Sequence, residues 1–500
     1  MSRAPTSDAG LAAGAARPLG LAWLIPHTLV WTLAAWLSRG NLDVSGDMVE
    51  NYVWGIEWQA GYAKHPPLFA WITAAWFSVM PRAEWAYYAL SAVNATVGLV
   101  GVAALARHFL SREHTAIAAL VLAVSPLYTA LAIKFNANAV LLSVWPWAAY
   151  FFVAFMQGGR WFHAAACGAL VALALLGKYF SVVLALALVV ATLAVSPWRQ
   201  RLRGAGPWIA LASGALVLAP HVAWLFEQQF LTLRYASQRS EGQFGDAVLR
   251  LANYSVAQVG YLLPGALLLW WSVGAADQRN AARALLRGTL RPATHPELWW
   301  LSFAPMGVIA AIAVIAKTPM ASVWGMAQWF ALPALWLAVL ARDGIAPRMS
   351  RLRRALPIYW AVVLAVAVSV GVIEARDASR GAIEPRFELA RAAHALWRER
   401  TGRALPIVAG SAATAMSVAF YAPGRTRWWS PGAPATTPWI TAADWQRKGG
   451  MLVCDGDDAA CQDAAPTLVT TPAIEITVHK EAWGLVLPSF SYRLYLHVPS

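Results

Sequence analysis

Residues Leu42–Leu68 read LDVSGDMVENYVWGIEWQAGYAKHPPL. They gather carboxylates, aromatic rings, a Lys-His pair and a Pro-Pro step between long apolar runs. Helical spacing across 47–59 puts Asp47, Glu50, Trp54 and Glu57 on one face and Met48, Tyr52 and Ile56 on the other. A short surface helix would thus turn an acidic, aromatic face towards a cavity. Asp47 has two readings. It caps the helix start, where backbone N–H groups are free, or it is a general base accepting a proton from an attacking hydroxyl. Glu50 is the second acid of that face. Lys64 and His65, just before Pro66-Pro67, are either a snorkelling anchor and a rigid turn or a phosphate contact.

The chain around this loop is apolar. Of its 500 residues 59% are hydrophobic and only 13% charged, which indicates a polytopic membrane protein. The 28 tryptophans fit interfacial belts. The net charge of +14 comes from arginines in short loops between apolar runs. That is a topology signal and gives no basic groove for nucleic acid.

Apolar runs fall at about 19–37, 85–106, 115–133, 138–157, 162–177, 180–196, 207–226, 251–273, 298–316, 322–341 and 357–374, about eleven spans in all. Residues 1–18, with Arg3 and Arg17, precede the first run and read as a cytoplasmic N-terminus before an uncleaved anchor. Pro67–Met80 is apolar but, at ~1.5 Å per residue, too short for a ~30 Å hydrocarbon core, so it is expected to lie in the interface. With the N-terminus inside, most arginines fall on the inner side, while Lys64, Lys134, Lys178 and Lys317 all fall outside. An odd span count places the C-terminal tail outside as well, in the periplasm of a Gram-negative cell.

The division expected is therefore a membrane domain over 19–374, with a first outer loop at 39–84, followed by a periplasmic α/β domain over 375–500. In the tail, Arg386–Arg400 reads as an amphipathic helix. Pro406–Gly410, Met451–Asp455, Ile474–His479 and Ser491–Val498 read as strands. Cys454 and Cys461 are candidates for a short disulfide loop in an oxidising exterior, and no zinc-type Cys/His spacing exists.

Polar groups of the other outer segments converge on the first loop's side. They are Lys134 with Asn136 and Asn138, Lys178 with Tyr179, His221, Arg234 with Tyr235, and Lys317 with Trp324. Each alone suits an interfacial anchor. Together they suit a cavity for an anionic lipid carrier whose chemistry needs a base.

The run Asp47…Glu50…Trp54…Gly61-Tyr62…Lys64-His65-Pro66-Pro67-Leu68 resembles the first periplasmic loop of bacterial family-39-type glycosyltransferases. These GT-C superfamily proteins are related to protein O-mannosyltransferases, to the aminoarabinose transferase of lipid A and to the galacturonosyl transferases of lipopolysaccharide core. The likeness extends to the Asn-Ala-Asn at 136–138, Gly177-Lys178-Tyr179, Pro220-His221 and Trp324-Gly325.

The resemblance implies a mainly α, polytopic transmembrane bundle of GT-C type in the bacterial inner membrane. It also implies a polyprenyl-phosphate-sugar donor taken from the bilayer and a glycolipid, glycan or protein acceptor. Asp47 matches the family's loop aspartate, the base or acceptor-positioning group, which in some members helps hold a divalent metal. Met48 stands where the family often has a second acid, a place Glu50 is expected to fill. Lys64, His65, Lys134, Lys178, Arg234 and Lys317 are the candidates for the donor phosphate, and Trp54, Tyr62 and His221 for sugar or acceptor contacts. Two other classes compete. A transporter or flippase of lipid-linked sugars would need polar groups at mid-membrane, whereas the span centres are mostly Ala, Leu and Val. A non-catalytic envelope scaffold would use the tail as its binding module.

Overall fold

Each of the eleven apolar runs contains a helix in the computed structural model, which describes residues 20–43, 45–240, 242–292, 295–378 and 380–499. The segment 1–18 lies outside the described residues. In chain order the helices are Leu24–Arg39, Glu84–Ala106, Arg112–Ala123, Val140–Gly158, Trp161–Gly177, Val182–Ala194, Gly206–Glu227, Phe244–Ser272, Pro296–Ile315, Leu332–Arg342 and Met349–Arg376. Among the described residues, five helices are long and apolar enough to cross a membrane, or six if the pair bent by 104° after Ala194 counts as one. The protein is a multi-pass membrane protein.

Two runs are less continuous than their hydropathy suggests. The expected span 115–133 stops being α-helical at Ala123 and passes into a 3-10 turn at Pro126–Tyr128. The expected span 322–341 begins with a 3-10 turn, Ser322–Gly325, and its helix starts only at Leu332, beside Pro333. Proline donates no N–H, so a helix ends before Pro126, while Pro333 is accommodated in the first turn of a new helix, where an N–H would have no partner. An apolar count sees neither break.

The helices Glu84–Ala106, Val140–Gly158, Trp161–Gly177 and Gly206–Glu227 pack in sequence, and Leu24–Arg39 lies between Glu84–Ala106 and the last helix, Met349–Arg376. Small residues set these approaches. At Gly168 an added Cβ would come within 1.9 Å of the Ala210 carbonyl. Lipid supplies the apolar surroundings elsewhere: Val256, Val259 and Leu216 are each more than two-thirds exposed.

Pro67–Met80 forms the ten-residue helix Leu68–Phe77, too short to cross, as expected. It packs against the first-loop helix Asp47–Gly55. The sequence reading missed the short helices Leu231–Ser240 and the amphipathic Gln278–Leu290, and in the tail Ala412–Tyr421, Ala442–Lys448 and Ala459–Leu468.

The C-terminal region is a small α/β layer. Strands β1 (Ile407–Gly410), β2 (Arg427–Trp428), β3 (Gly450–Asp455), β4 (Ile474–Val478) and the long β7 (Phe490–His497) form a sheet ordered β2-β1-β3-β7-β4; β5 (Glu481–Ala482) and β6 (Leu485–Val486) form a separate hairpin. β1 pairs parallel with β2 and β3, while β7 runs antiparallel to β3 and β4. β1 and β3 are almost wholly buried, the pattern of central strands. The amphipathic helix is Arg386–Thr401. Cys454 on β3 is bonded to Cys461 in the helix Ala459–Leu468. Closing so short a loop is worth about 2 kcal/mol of chain entropy. Cys461→Ser is therefore expected to lower the unfolding midpoint of this region without changing the helical bundle, measured as the temperature at which limited proteolysis first cleaves within 400–499.

The sheet region is fastened to the first loop. Its helix Ala412–Tyr421 lies on Asp47–Gly55. Phe420 is buried between the rings of Tyr52 and Phe77, each 5.1 Å away. The Tyr421 hydroxyl donates to Glu84 at 2.8 Å. Arg427 grips Glu57 with two bonds of 2.7 Å, and Lys480 donates to the Gly40 carbonyl at 2.6 Å. The Glu57 side chain is only 6% exposed, so removing its partner strands a buried carboxylate, at a cost of about 3–5 kcal/mol. Arg427→Ala is expected to loosen the tail, seen as faster proteolysis within 400–499 of the membrane-embedded protein. Unchanged cleavage would show that the aromatic contacts hold the tail alone.

Candidate active site

The first-loop helix is placed by a residue the sequence reading passed over, Asp43. Gly46 adopts φ +77°, a left-handed turn that suits glycine, and the chain folds back so that Asp43 caps the helix. Its carboxylate accepts from the Asp47 N–H at 3.0 Å and the Met48 N–H at 2.8 Å. The Asp47 carboxylate is thereby released from the capping role and is 43% exposed. Asn51 then ties the helix to the next loop by donating to the Phe135 carbonyl at 2.7 Å.

Lys134 bridges the two acids. Its Nζ lies 2.9 Å from Asp43, 2.7 Å from Asp47 and 2.6 Å from the Ser45 hydroxyl. Burial alone would raise the Asp43 carboxyl, but Lys134, Ser45 and the Met48 N–H together hold it below its ordinary 3.8. Burial likewise opposes the Lys134 charge, and the two aspartates overcome it and raise the ammonium above its ordinary 10.5. A depressed carboxyl stabilises the fold above its unfolded pKa and loses that contribution as pH falls through the folded value. A raised ammonium stabilises below its unfolded pKa and loses that contribution as pH rises through the folded one. The cluster is therefore expected to hold from about pH 4 to above pH 10. Proteolysis of the 40–47 segment should stay flat across neutral pH and rise only below that window's acid edge.

Beside this cluster opens a cavity of about 500 Å³, lined by Asp47, Glu50, Asn51, Lys64, His65 and Lys178 among its polar groups. Phe180, Val182, Ile312, Met320 and Trp324 form its apolar wall. The cavity thus joins two acids, two lysines and an apolar flank, the composition a ligand with a charged head and an apolar tail requires.

The two lysines differ. Lys64 is 2.7 Å from Glu50, whose side chain is 9% exposed. Burial pushes the Glu50 carboxyl above its ordinary value, with Lys64 opposing. Lys178 donates to the Asn138 amide oxygen at 2.6 Å and lies 4.5 Å from the Trp324 ring centroid. The groups it touches are neutral, a cation–π face and an amide, and among the described residues no carboxylate pairs with it. Asn138 is in turn positioned by Asn136, whose side-chain oxygen accepts from the Asn138 and Ala139 N–H groups.

Other sequence candidates stand back from the cavity. Trp54 and Tyr62 are fully buried and stack at 5.2 Å. His221 is buried, 2.7 Å from the Tyr179 hydroxyl and 2.6 Å from the Ala60 carbonyl. These three lie behind the lining, and Tyr179, the partner of His221, lines the cavity. Arg234 and Lys317 are exposed and are not among the lining residues. Glu57, placed by spacing on the cavity face, lies past the end of the helix and turns to Arg427. Among the described residues no group of three or more His, Cys, Asp or Glu side chains gathers to hold a metal ion. Asp43 and Asp47 share the Lys134 ammonium between them.

Residues 64–224 match the model of the family described as dolichyl-phosphate-mannose-protein mannosyltransferase. Comparison with curated proteins gives no match. Among solved structures, the chain is similar to ArnT from Cupriavidus metallidurans bound to undecaprenyl phosphate, with a TM-score of 0.51 and 15% identity over 96% of this chain and 98% of that one. It is also similar to the oligosaccharyltransferase AglB from Archaeoglobus fulgidus, in complex with an inhibitory peptide and a dolichol-phosphate, with a TM-score of 0.42 and 11% identity over 87% and 69%. The family match covers the second half of the cavity-bearing loop, and the ArnT likeness extends over nearly the whole fold. Together they give the chain a fold of the GT-C type, with residues 64–224 similar in sequence to the mannosyltransferase family.

Proposed function

We propose that the protein transfers a sugar from a polyprenyl-phosphate-linked donor to an envelope acceptor, a glycolipid, glycan or protein, on the periplasmic side of the bacterial inner membrane. The observation that carries this reading is the cavity that sets Asp47 within the same space as Lys178 and an apolar wall. The apolar wall receives the start of the prenyl chain, and Lys178 meets the phosphate. Lys64 and His65 add to that contact.

The reaction follows from these positions. An acceptor hydroxyl oxygen attacks the anomeric carbon from the side opposite the phosphate. The bond from that carbon to the phosphate oxygen breaks, and its electron pair leaves with the polyprenyl phosphate. Asp47 takes the hydroxyl proton. The sugar is transferred with inversion, and the charge growing on the phosphate is held by the lysines. The Lys134–Asp47 pair is partly exposed on both sides, so it is worth no more than about 1 kcal/mol and yields readily when an acceptor enters.

In this reading residues 19–374 are the transferase domain and 39–84 its catalytic loop. Residues 375–500 are a periplasmic domain that braces that loop, and the N-terminus is cytoplasmic. ArnT with bound undecaprenyl phosphate supports a polyprenyl carrier. The test is mass spectrometry of envelope glycolipids, glycans and proteins from cells with and without the gene. One component should lose one sugar residue when the gene is removed; an unchanged envelope would count against the reading.

A further inference from the structure

A groove of about 280 Å³ opens on the side of the bundle, apart from the cavity described above. Pro264, Leu268 and Trp271 of the helix Phe244–Ser272 form one wall, and Leu352, Leu356 and Tyr359 of the last helix form the other. The end of the helix Arg112–Ala123 closes its back. Both triplets repeat at i, i+4 and i+7, so each is one helical stripe about 10 Å long. Such a groove fits within one leaflet of a ~30 Å hydrocarbon core. The leaflet is the one opposite the cavity. Gln258 of the same helix donates to the Ser322 carbonyl at 2.9 Å, in the turn that carries the cavity residue Trp324, and Trp271 lies about 20 Å further along.

The outer end of the groove is cationic. Arg348 and Arg351 stand one helical turn before the lining residues Leu352 and Ala355. The Arg351 Nη1 donates to the carbonyls of Trp271 and Val273 at 2.7 and 2.6 Å, and its guanidinium lies 5.8 Å from the Trp271 ring centroid. These contacts fix Arg351 at the groove mouth. Among the described residues its Nε and Nη2 keep no hydrogen-bond partner. Arg348 is exposed and rests over Gly274, with Asp277 facing the same glycine. Two guanidiniums therefore stand against one carboxylate. The helix that follows, Gln278–Leu290, exposes Arg279, Arg283, Leu286 and Leu290 along one stripe, the pattern of a helix lying on an anionic leaflet.

We infer that the groove holds one acyl chain of an anionic diacyl phospholipid, whose phosphodiester sits on Arg351 and Arg348. The apolar stripes take the chain, and the net positive rim matches the single negative charge of the phosphodiester. A zwitterionic head would bring an ammonium towards two guanidiniums. The bound lipid fills a gap that side chains leave open between the helices Phe244–Ser272 and Met349–Arg376. The inference stands apart from the transfer reading above.

The test uses the full chain in phosphatidylcholine nanodiscs and a phosphatidylglycerol with a photoreactive acyl chain. Cross-links are expected in the peptides spanning 264–271 and 352–359. Arg351→Gln should cut them about tenfold, the loss of one charge-assisted hydrogen bond. Arg354→Gln removes the same charge from a position outside the groove lining and should leave them unchanged. Ala355→Trp, which fills the groove, should remove them. Size-exclusion chromatography checks that each variant is folded, and where Ala355→Trp does not fold, Arg351→Gln decides alone. Equal labelling of the wild type by a phosphatidylethanolamine with the same chain would overturn the inference, as would equal losses in Arg351→Gln and Arg354→Gln. Labelling spread evenly over the lipid-facing helices would overturn it too.

Discussion

Asp47→Asn is expected to lower the rate of sugar transfer by about 10²–10⁴-fold, the usual contribution of a general base. The loss should fall on kcat, with KM for the donor little changed, because the phosphate contacts lie elsewhere in the cavity. The variant is informative because the fold does not depend on this carboxylate. The helix cap is supplied by Asp43, which accepts from the Asp47 and Met48 N–H groups. Lys134 keeps Asp43 and Ser45 as partners. An amide at 47 therefore removes the proton acceptor and leaves the helix in place, which size-exclusion chromatography and donor binding will check. Asp43→Asn should behave in the opposite way. It weakens the cap by about 1 kcal/mol and loosens the loop, so its loss of activity should track a loss of stability. Turnover unchanged in Asp47→Asn would remove Asp47 as the base.

Lys178→Met is expected to be the most damaging change on the donor side. It keeps an unbranched side chain in the cavity wall and deletes the charge. If that charge stabilises the departing phosphate, its loss costs about 10²–10³-fold in kcat, as for other preorganised electrostatic groups. Affinity for undecaprenyl phosphate should fall as well. Lys64→Met should cost less, because Glu50 already neutralises Lys64 at 2.7 Å, and its removal frees a carboxyl that burial keeps readily protonated. The ranking is measured by undecaprenyl phosphate binding across the two variants. Equal losses, or a larger loss for Lys64→Met, would move the phosphate towards the Pro66-Pro67 turn.

The bundle was legible in the sequence because apolar runs and flanking arginines are local signals. Its breaks at Pro126 and Pro333 were legible in principle, but a hydropathy window averages over a single proline. Asp47 and Glu50 stood out because their spacing on one helix survives into the structure. Asp43 did not, since its role depends on the backbone reversal at Gly46. Trp54 and Tyr62 look like sugar platforms in sequence, yet they stack on each other in the wall. The contacts that brace the first loop join residues hundreds of positions apart, such as Glu57 with Arg427 and Glu84 with Tyr421. No periodicity carries such pairs. The tail strands were readable from their apolar runs, but their place against the first loop was not.

The most direct test of the account is transfer by the purified protein, reconstituted with a polyprenyl-phosphate sugar and an envelope extract. The account predicts one polyprenyl phosphate released per sugar transferred, an inverted anomeric configuration in the product, and almost no product with Asp47→Asn. Donor that crosses the bilayer unchanged, with no covalent product, would contradict it.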